Sequence, residues 1–218
     1  MNHKKSLFLA SAATAAMLIA GCAAMAPTPD YDALTTQMMT GSFRDEGIAK
    51  VDRLQQDASN AACSKAQGGS PPEDLANAIQ QAALKSVRMP ADGKFIGDWR
   101  EGEKLAQNGR GMTWTDKSAA PAANGGNCYN CHQIAKAEIS YGTIGPSLYQ
   151  YGKNRGVTDP ASAAAKPIVE YTWTKLWNAK AYNACSGMPR FGHAGLLDEK
   201  QLKDLMALIL DPKSPVNQ

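Results

Sequence analysis

NCYNCHQ, residues 127–133, sets two cysteines three positions apart with a histidine directly behind them. The chain has only five cysteines and three histidines in 218 residues, so their grouping asks for a chemical reason. Four readings compete: a zinc site, a redox dithiol, a covalent haem attachment, and coincidence.

Zinc needs about four ligands. No second cysteine pair is present, and Cys185 and His193 form no partner cluster at a usual spacing. A thioredoxin-like dithiol expects a preceding strand in an α/β pattern, and strand signals are weak throughout. Three scarce residues in register argue against coincidence. Haem c fits the chemistry. Cys128 and Cys131 each add to one porphyrin vinyl group, and His132 then falls beneath the iron. One motif implies one covalently bound haem c.

The N-terminus agrees with this reading. Lys4 and Lys5 precede LFLASAATAAMLIA (7–20), an apolar run too short to span a membrane comfortably. Residues 1–21 read as an export signal, which puts the protein in the periplasm. The stretch IAGC (19–22) has the form of a lipobox, with Cys22 as the acylated first mature residue. The competing reading is ordinary cleavage in the alanine-rich stretch that follows, leaving a soluble protein. Loss of residues 1–21 removes two lysines and lowers the formal charge from +3 to +1. With no basic run beyond the extreme N-terminus, nucleic acid is excluded as a partner.

Cysteine arithmetic continues from there. With Cys22 lipidated and Cys128 and Cys131 used together, Cys63 and Cys185 remain. In an oxidising compartment they form either a disulfide or two separate buried thiols.

Residues 22–40 read as a tether. From Asp45, the residues Ile48, Val51, Leu54, Ala58 and Ala62 recur at helical spacing, and GGSPP (68–72) stops that helix. Pro71 and Pro72 then open another, with Glu73 and Asp74 in its first turn and Leu75, Ile79, Ala83 and Val87 on its inner face. Residues 41–88 are thus expected to be a helical N-terminal extension of a domain over 90–218. In that domain, Asp98 with Glu101 predicts a capping box. A helix is expected over 167–180. Asp198 with Gln201 caps a last helix that buries Leu202, Leu205, Met206 and Ile209. The fold class is all-α, with long loops.

A haem held by His132 needs a ligand on its other face. Met188, His193 and Met206 are the candidates. Met206 lies on a core stripe, and His193 also reads as an exposed loop histidine. Met188 lies in a glycine-flanked loop stiffened by Pro189, which favours it as the sixth ligand. Arg190 reads either as a partner for a haem propionate or as a solvated side chain. The four tryptophans read as packing or interface anchors.

CYNCH (128–132), GPSL (145–148) and MPRFG (188–192), followed by an amphipathic C-terminal helix, resemble a class I cytochrome c. That resemblance implies about four helices wrapped around one covalent haem. It also implies that the Pro146 carbonyl accepts the second ring proton of His132. More narrowly, GTIGPSLYQYGKNRG (142–156), NACSGMPRFG (183–192) and the tail LDPKSPVNQ (210–218) resemble the SoxX family, the monohaem subunits of SoxAX. The resemblance covers roughly residues 90–218. It implies a SoxA-like cytochrome partner, a SoxY-type carrier protein met through the complex, and a soluble cytochrome acceptor. SoxAX acts as an L-cysteine S-thiosulfotransferase that joins thiosulfate to a carrier cysteine. This chain would accept the electrons and hold no substrate site. A free-standing electron shuttle, and an open-site haem peroxidase or gas sensor, are the alternatives.

Overall fold

The computed structural model describes residues 28–138 and 140–218. The export signal and Cys22 lie outside the described residues. The chain divides at Arg44 into two compact units.

In the first unit, the stretch expected to be a tether carries a helix, α1 (Tyr31–Ser42). Its cause is local. The Asp30 side chain accepts the Ala33 amide at 2.9 Å and Asp32 sits in the first turn. No residue of α1 is buried.

The second unit is helical, and among the described residues no strand forms. Only the bridge pair Glu46 and Ala49 closes a turn. The helix expected to start at Asp45 does not form there. Gly47 takes a left-handed φ of 53°, the Asp45 carboxylate captures the Val51 amide at 2.9 Å, and Val51–Leu54 makes only a 3-10 turn. Helix α2 (Ala58–Lys65) starts afresh at Asp57, whose side chain accepts the Asn60 amide. These local polar captures break the expected apolar stripe into separate pieces, and none of its residues is buried. Helix α3 (Glu73–Lys85) follows Pro72 with Glu73 and Asp74 in its first turn, as the sequence implies. Its inner face is narrower than expected: Ala83 is buried, while Leu75 is 43% exposed.

The core is the crossing of α4 (Trp99–Gln107) with α7 (Glu199–Leu210). Gly102 allows it. A Cβ at Gly102 would run into the Asp204 backbone, with its carbonyl carbon at 2.7 Å and Leu208 Cβ at 3.1 Å. The start of α4 is tied to the middle of α7. The Gly97 amide donates to the Lys203 carbonyl at 2.9 Å, and the Asp98 amide donates to the buried Asp204 carboxylate, also at 2.9 Å. Asp98 caps α4 through the Arg100 amide, while Glu101 pairs with Lys104 at 2.8 Å. The expected capping box is therefore not made at this end. At Asp198 it is made in full.

On α7, Leu202, Leu205, Met206, Leu208, Ile209 and Leu210 are all buried, so Met206 is a core residue. The short helix α5 (Tyr151–Asn154) and then α6 (Lys166–Trp177) pack against it. Trp173 is fully buried and meets Phe95 edge-on at 5.5 Å. The tail satisfies the end of α7. Ser214 Oγ donates to the Leu208 carbonyl at 2.6 Å, and Asn217 Nδ2 donates to the Ile209 carbonyl at 3.0 Å.

Residues 45–88 pack on this core within the same unit. Trp173 Nε1 donates to the Arg88 carbonyl at 2.8 Å and Trp177 Nε1 to the Ser86 carbonyl at 3.0 Å. Cys63 and Cys185 are joined in a disulfide across 122 positions. Cross-linking over that length removes about 5 kcal/mol of chain entropy from the unfolded state in the loop-closure account.

Gly102→Ala forces the crossing helices apart. The expected result is a loss of about 1–3 kcal/mol in denaturant unfolding, with helical content retained.

Candidate haem site

The motif loop is pinned on both sides. On one side the Gly126 amide donates to the Leu105 carbonyl at 2.8 Å, at the end of α4, and the Asn127 amide to the Asn108 carbonyl at 3.0 Å. Asn127 takes a left-handed φ of 51° and turns the chain into a single 3-10 turn, Cys128–Asn130. The His132 amide closes on the Cys128 carbonyl at 2.9 Å. On the other side, the Gly142 amide donates to the Tyr129 carbonyl at 2.9 Å, and the Gly145 amide to the Cys131 carbonyl at 2.8 Å. Cys128, Cys131, His132 and Pro146 are therefore brought together by backbone pairing.

His132 Nδ1 lies 2.6 Å from the Pro146 carbonyl oxygen. A carbonyl can only accept, so the proton sits on Nδ1 and the lone pair on Nε2 is free for a metal. Gly145 is required here: a Cβ would meet the imidazole, with Nε2 at 2.7 Å.

Cys128 and Cys131 are unpaired, half-buried thiols. Burial pushes the Cys128 thiol up to about 12, and the neighbouring Cys131 adds in the same direction. A redox dithiol of the thioredoxin kind needs the opposite shift. Among the described residues no three His, Cys, Asp or Glu side chains converge as a metal cluster. Neither the dithiol nor the zinc reading gains support.

Met188 is half-buried and packs on the same apolar core as Cys128 and Leu148. Its amide donates to Ser186 Oγ at 3.3 Å. His193, the rival, is exposed. Its pKa is lowered by partial burial first and then by the nearby Arg190 charge, with Asp57 opposing.

The residues fit a covalently attached haem on three counts. Two thiols one turn apart are free to be alkylated, one imidazole presents an oriented Nε2, and an apolar wall carries a thioether.

Arg190 has a different partner from either one read in the sequence. Its Nη2 lies 2.6 Å from Asp57 Oδ2 on the N-cap of α2. Sequence reasoning missed Asp57. The stretch DASN (57–60) signals a helix cap, but no local pattern reports a pairing across 133 positions. The tryptophans split by role: Trp173 is core, Trp177 is a half-buried bracket, and Trp114 is 58% exposed.

The comparisons agree with this geometry. The profile of the cytochrome c family matches residues 101–211. The chain is also 35% identical over 177 residues to a protein of Aquifex aeolicus (strain VF5) named an uncharacterized lipoprotein. That match covers 79% of this chain and 76% of the other. The chain belongs to the cytochrome c family, whose members carry covalently bound haem c and transfer electrons.

Gly145→Ala is expected to push the His132 ring off the Pro146 carbonyl. Protein matured with haem should then show a displaced imidazole Nδ1–H resonance and a lower unfolding midpoint.

Proposed function

We propose that this chain is a single-haem electron-transfer subunit of a SoxAX-type complex, taking electrons from a SoxA-like partner and handing them to a soluble cytochrome. The observation that carries the electron-transfer reading is the bond from His132 Nδ1 to the Pro146 carbonyl. It fixes one tautomer and raises the basicity of Nε2. Support for the narrower reading comes from the three sequence stretches over 142–156, 183–192 and 210–218.

In this reading Cys128 and Cys131 would hold the ring through thioethers, and His132 and Met188 would supply the protein ligands to its iron. The bound haem supplies one-electron redox chemistry, with a thioether ligand favouring the reduced state. The chain's own residues do the rest. Pro146 orients the imidazole. Leu105, Leu148 and Trp177 pack on the same apolar core as Cys128 and Met188 and would shield the group from water. Two protein ligands leave no position for a substrate. Ile144 is 86% exposed and stands beside Gly145, which touches His132. An exposed apolar side chain there suits docking of a partner cytochrome.

For location, the lipobox at Cys22 and the name of the Aquifex aeolicus relative support a lipid-anchored protein outside the cytoplasm. Among the described residues no helix is long and apolar enough to cross a membrane.

Met188→Ala is expected to abolish the red-edge Met–haem absorption band while the haem stays attached through acid extraction. A persistent band excludes Met188, and carbon monoxide binding to the reduced wild type indicates an open site. Affinity purification from the native host is expected to bring down a second c-type cytochrome; a purely monomeric protein favours a free shuttle. Mass spectrometry of the mature form is expected to show acyl chains on Cys22.

A further inference from the structure

The stretch 183–192, which carries Met188, has few bonds of its own. The Cys185 amide donates to Asn183 Oδ1 at 3.1 Å, and the Ser186 amide to the Asn183 carbonyl at 3.0 Å. What holds the stretch in place comes from elsewhere. On its N-terminal side, Cys185 is bridged to Cys63 on α2, with Cα atoms 5.5 Å apart. On its C-terminal side, Arg190 pairs with Asp57 at the cap of α2. Next to it, Gly192 lies against the Trp177 ring. A Cβ there would meet Cγ of the indole at 3.0 Å, and the indole N–H is fixed by the Ser86 carbonyl after α3.

The flank of the loop is tied to the same place. Lys180 is only 5% exposed, and its Nζ donates to Ser59 Oγ at 2.8 Å and Asn60 Oδ1 at 2.7 Å, both in the first turn of α2. Burial of a lysine is unfavourable unless it is paired. Its partners here belong to the segment before the haem domain, not to the domain itself. Two attachments from residues 57–63 thus grip the loop itself, at Cys185 and Arg190, and two more from residues 59–86 hold Lys180 and Trp177 beside it.

We propose that residues 45–88 are a brace for the Met188 loop, and that Asp57 and the Cys63–Cys185 bridge are positioning residues that hold the thioether in place. This rests on Met188 being the axial ligand. A neutral thioether holds iron against other ligands only while its loop presents it. An external ligand therefore binds with an apparent affinity scaled by the fraction of molecules whose loop is open. Weakening the brace raises that fraction.

The test titrates ferric, haem-loaded full-length protein with imidazole and follows the red-edge band. Asp57→Asn suits it because asparagine caps a helix as well as aspartate does, so α2 is retained while the charge facing Arg190 is lost. Asp57→Asn is expected to bind imidazole a few-fold more tightly than wild type. The double variant Cys63→Ser/Cys185→Ser is expected to bind roughly tenfold more tightly. If Asp57→Asn keeps its helical circular dichroism and titrates like wild type, the brace is overturned, whether or not the double variant folds. A band that survives in Met188→Ala overturns the axial assignment and the brace together. A band lost in Met188→Ala but unchanged imidazole affinity in Asp57→Asn overturns the brace alone.

Discussion

The close approach of α4 and α7 at Gly102 is the constraint on which the site depends. The absent side chain lets the α4 backbone rest on Asp204 and Leu208, and the buried Asp204 carboxylate then binds the Asp98 amide. That crossing sets where α4 ends. The end of α4 sets the motif loop, because the Leu105 and Asn108 carbonyls accept from Gly126 and Asn127. The motif loop in turn receives Gly142 and Gly145, and these bring the Pro146 carbonyl to His132. The steps are main-chain hydrogen bonds, contacts that glycine permits, and two side-chain bonds, one from the Asp98 amide to Asp204 and one from His132 to the Pro146 carbonyl.

The two faces of the proposed haem site are built in different ways. The His132 side is assembled from segments close in sequence, joined mainly by main-chain bonds. The stretch around Met188 is fastened by side chains from far away: a disulfide, an ion pair, a buried lysine and the Trp177 N–H. Main-chain bonding makes the imidazole side rigid. Side-chain fastening ties the stretch around Met188 to residues 57–86, which lie outside the stretch matched by the cytochrome c family.

This difference also explains what could be read in the sequence. CYNCH stands out through the spacing of three scarce residues, whereas the Pro146 carbonyl, 2.6 Å from His132 Nδ1, is expected only through the resemblance to class I cytochromes c. The last helix is legible from its period and from the capping box at Asp198, which the structure makes in full. The region 45–57 misled because an apolar stripe at helical spacing does not reveal that Asp45 captures the Val51 amide or that Gly47 turns left-handed. The pairing of Arg190 with Asp57 is not legible because the two residues are distant in sequence. Long-range polar pairing leaves no periodic trace in the chain.

The bridge between Cys63 and Cys185 has a consequence for biogenesis. It encloses Cys128 and Cys131, so the native pairing skips two intervening thiols. Four cysteines allow three pairings. An oxidant joining these four thiols in chain order would pair Cys63 with Cys128 and Cys131 with Cys185, and leave neither motif thiol free. The native pairing therefore does not follow the order of the cysteines along the chain.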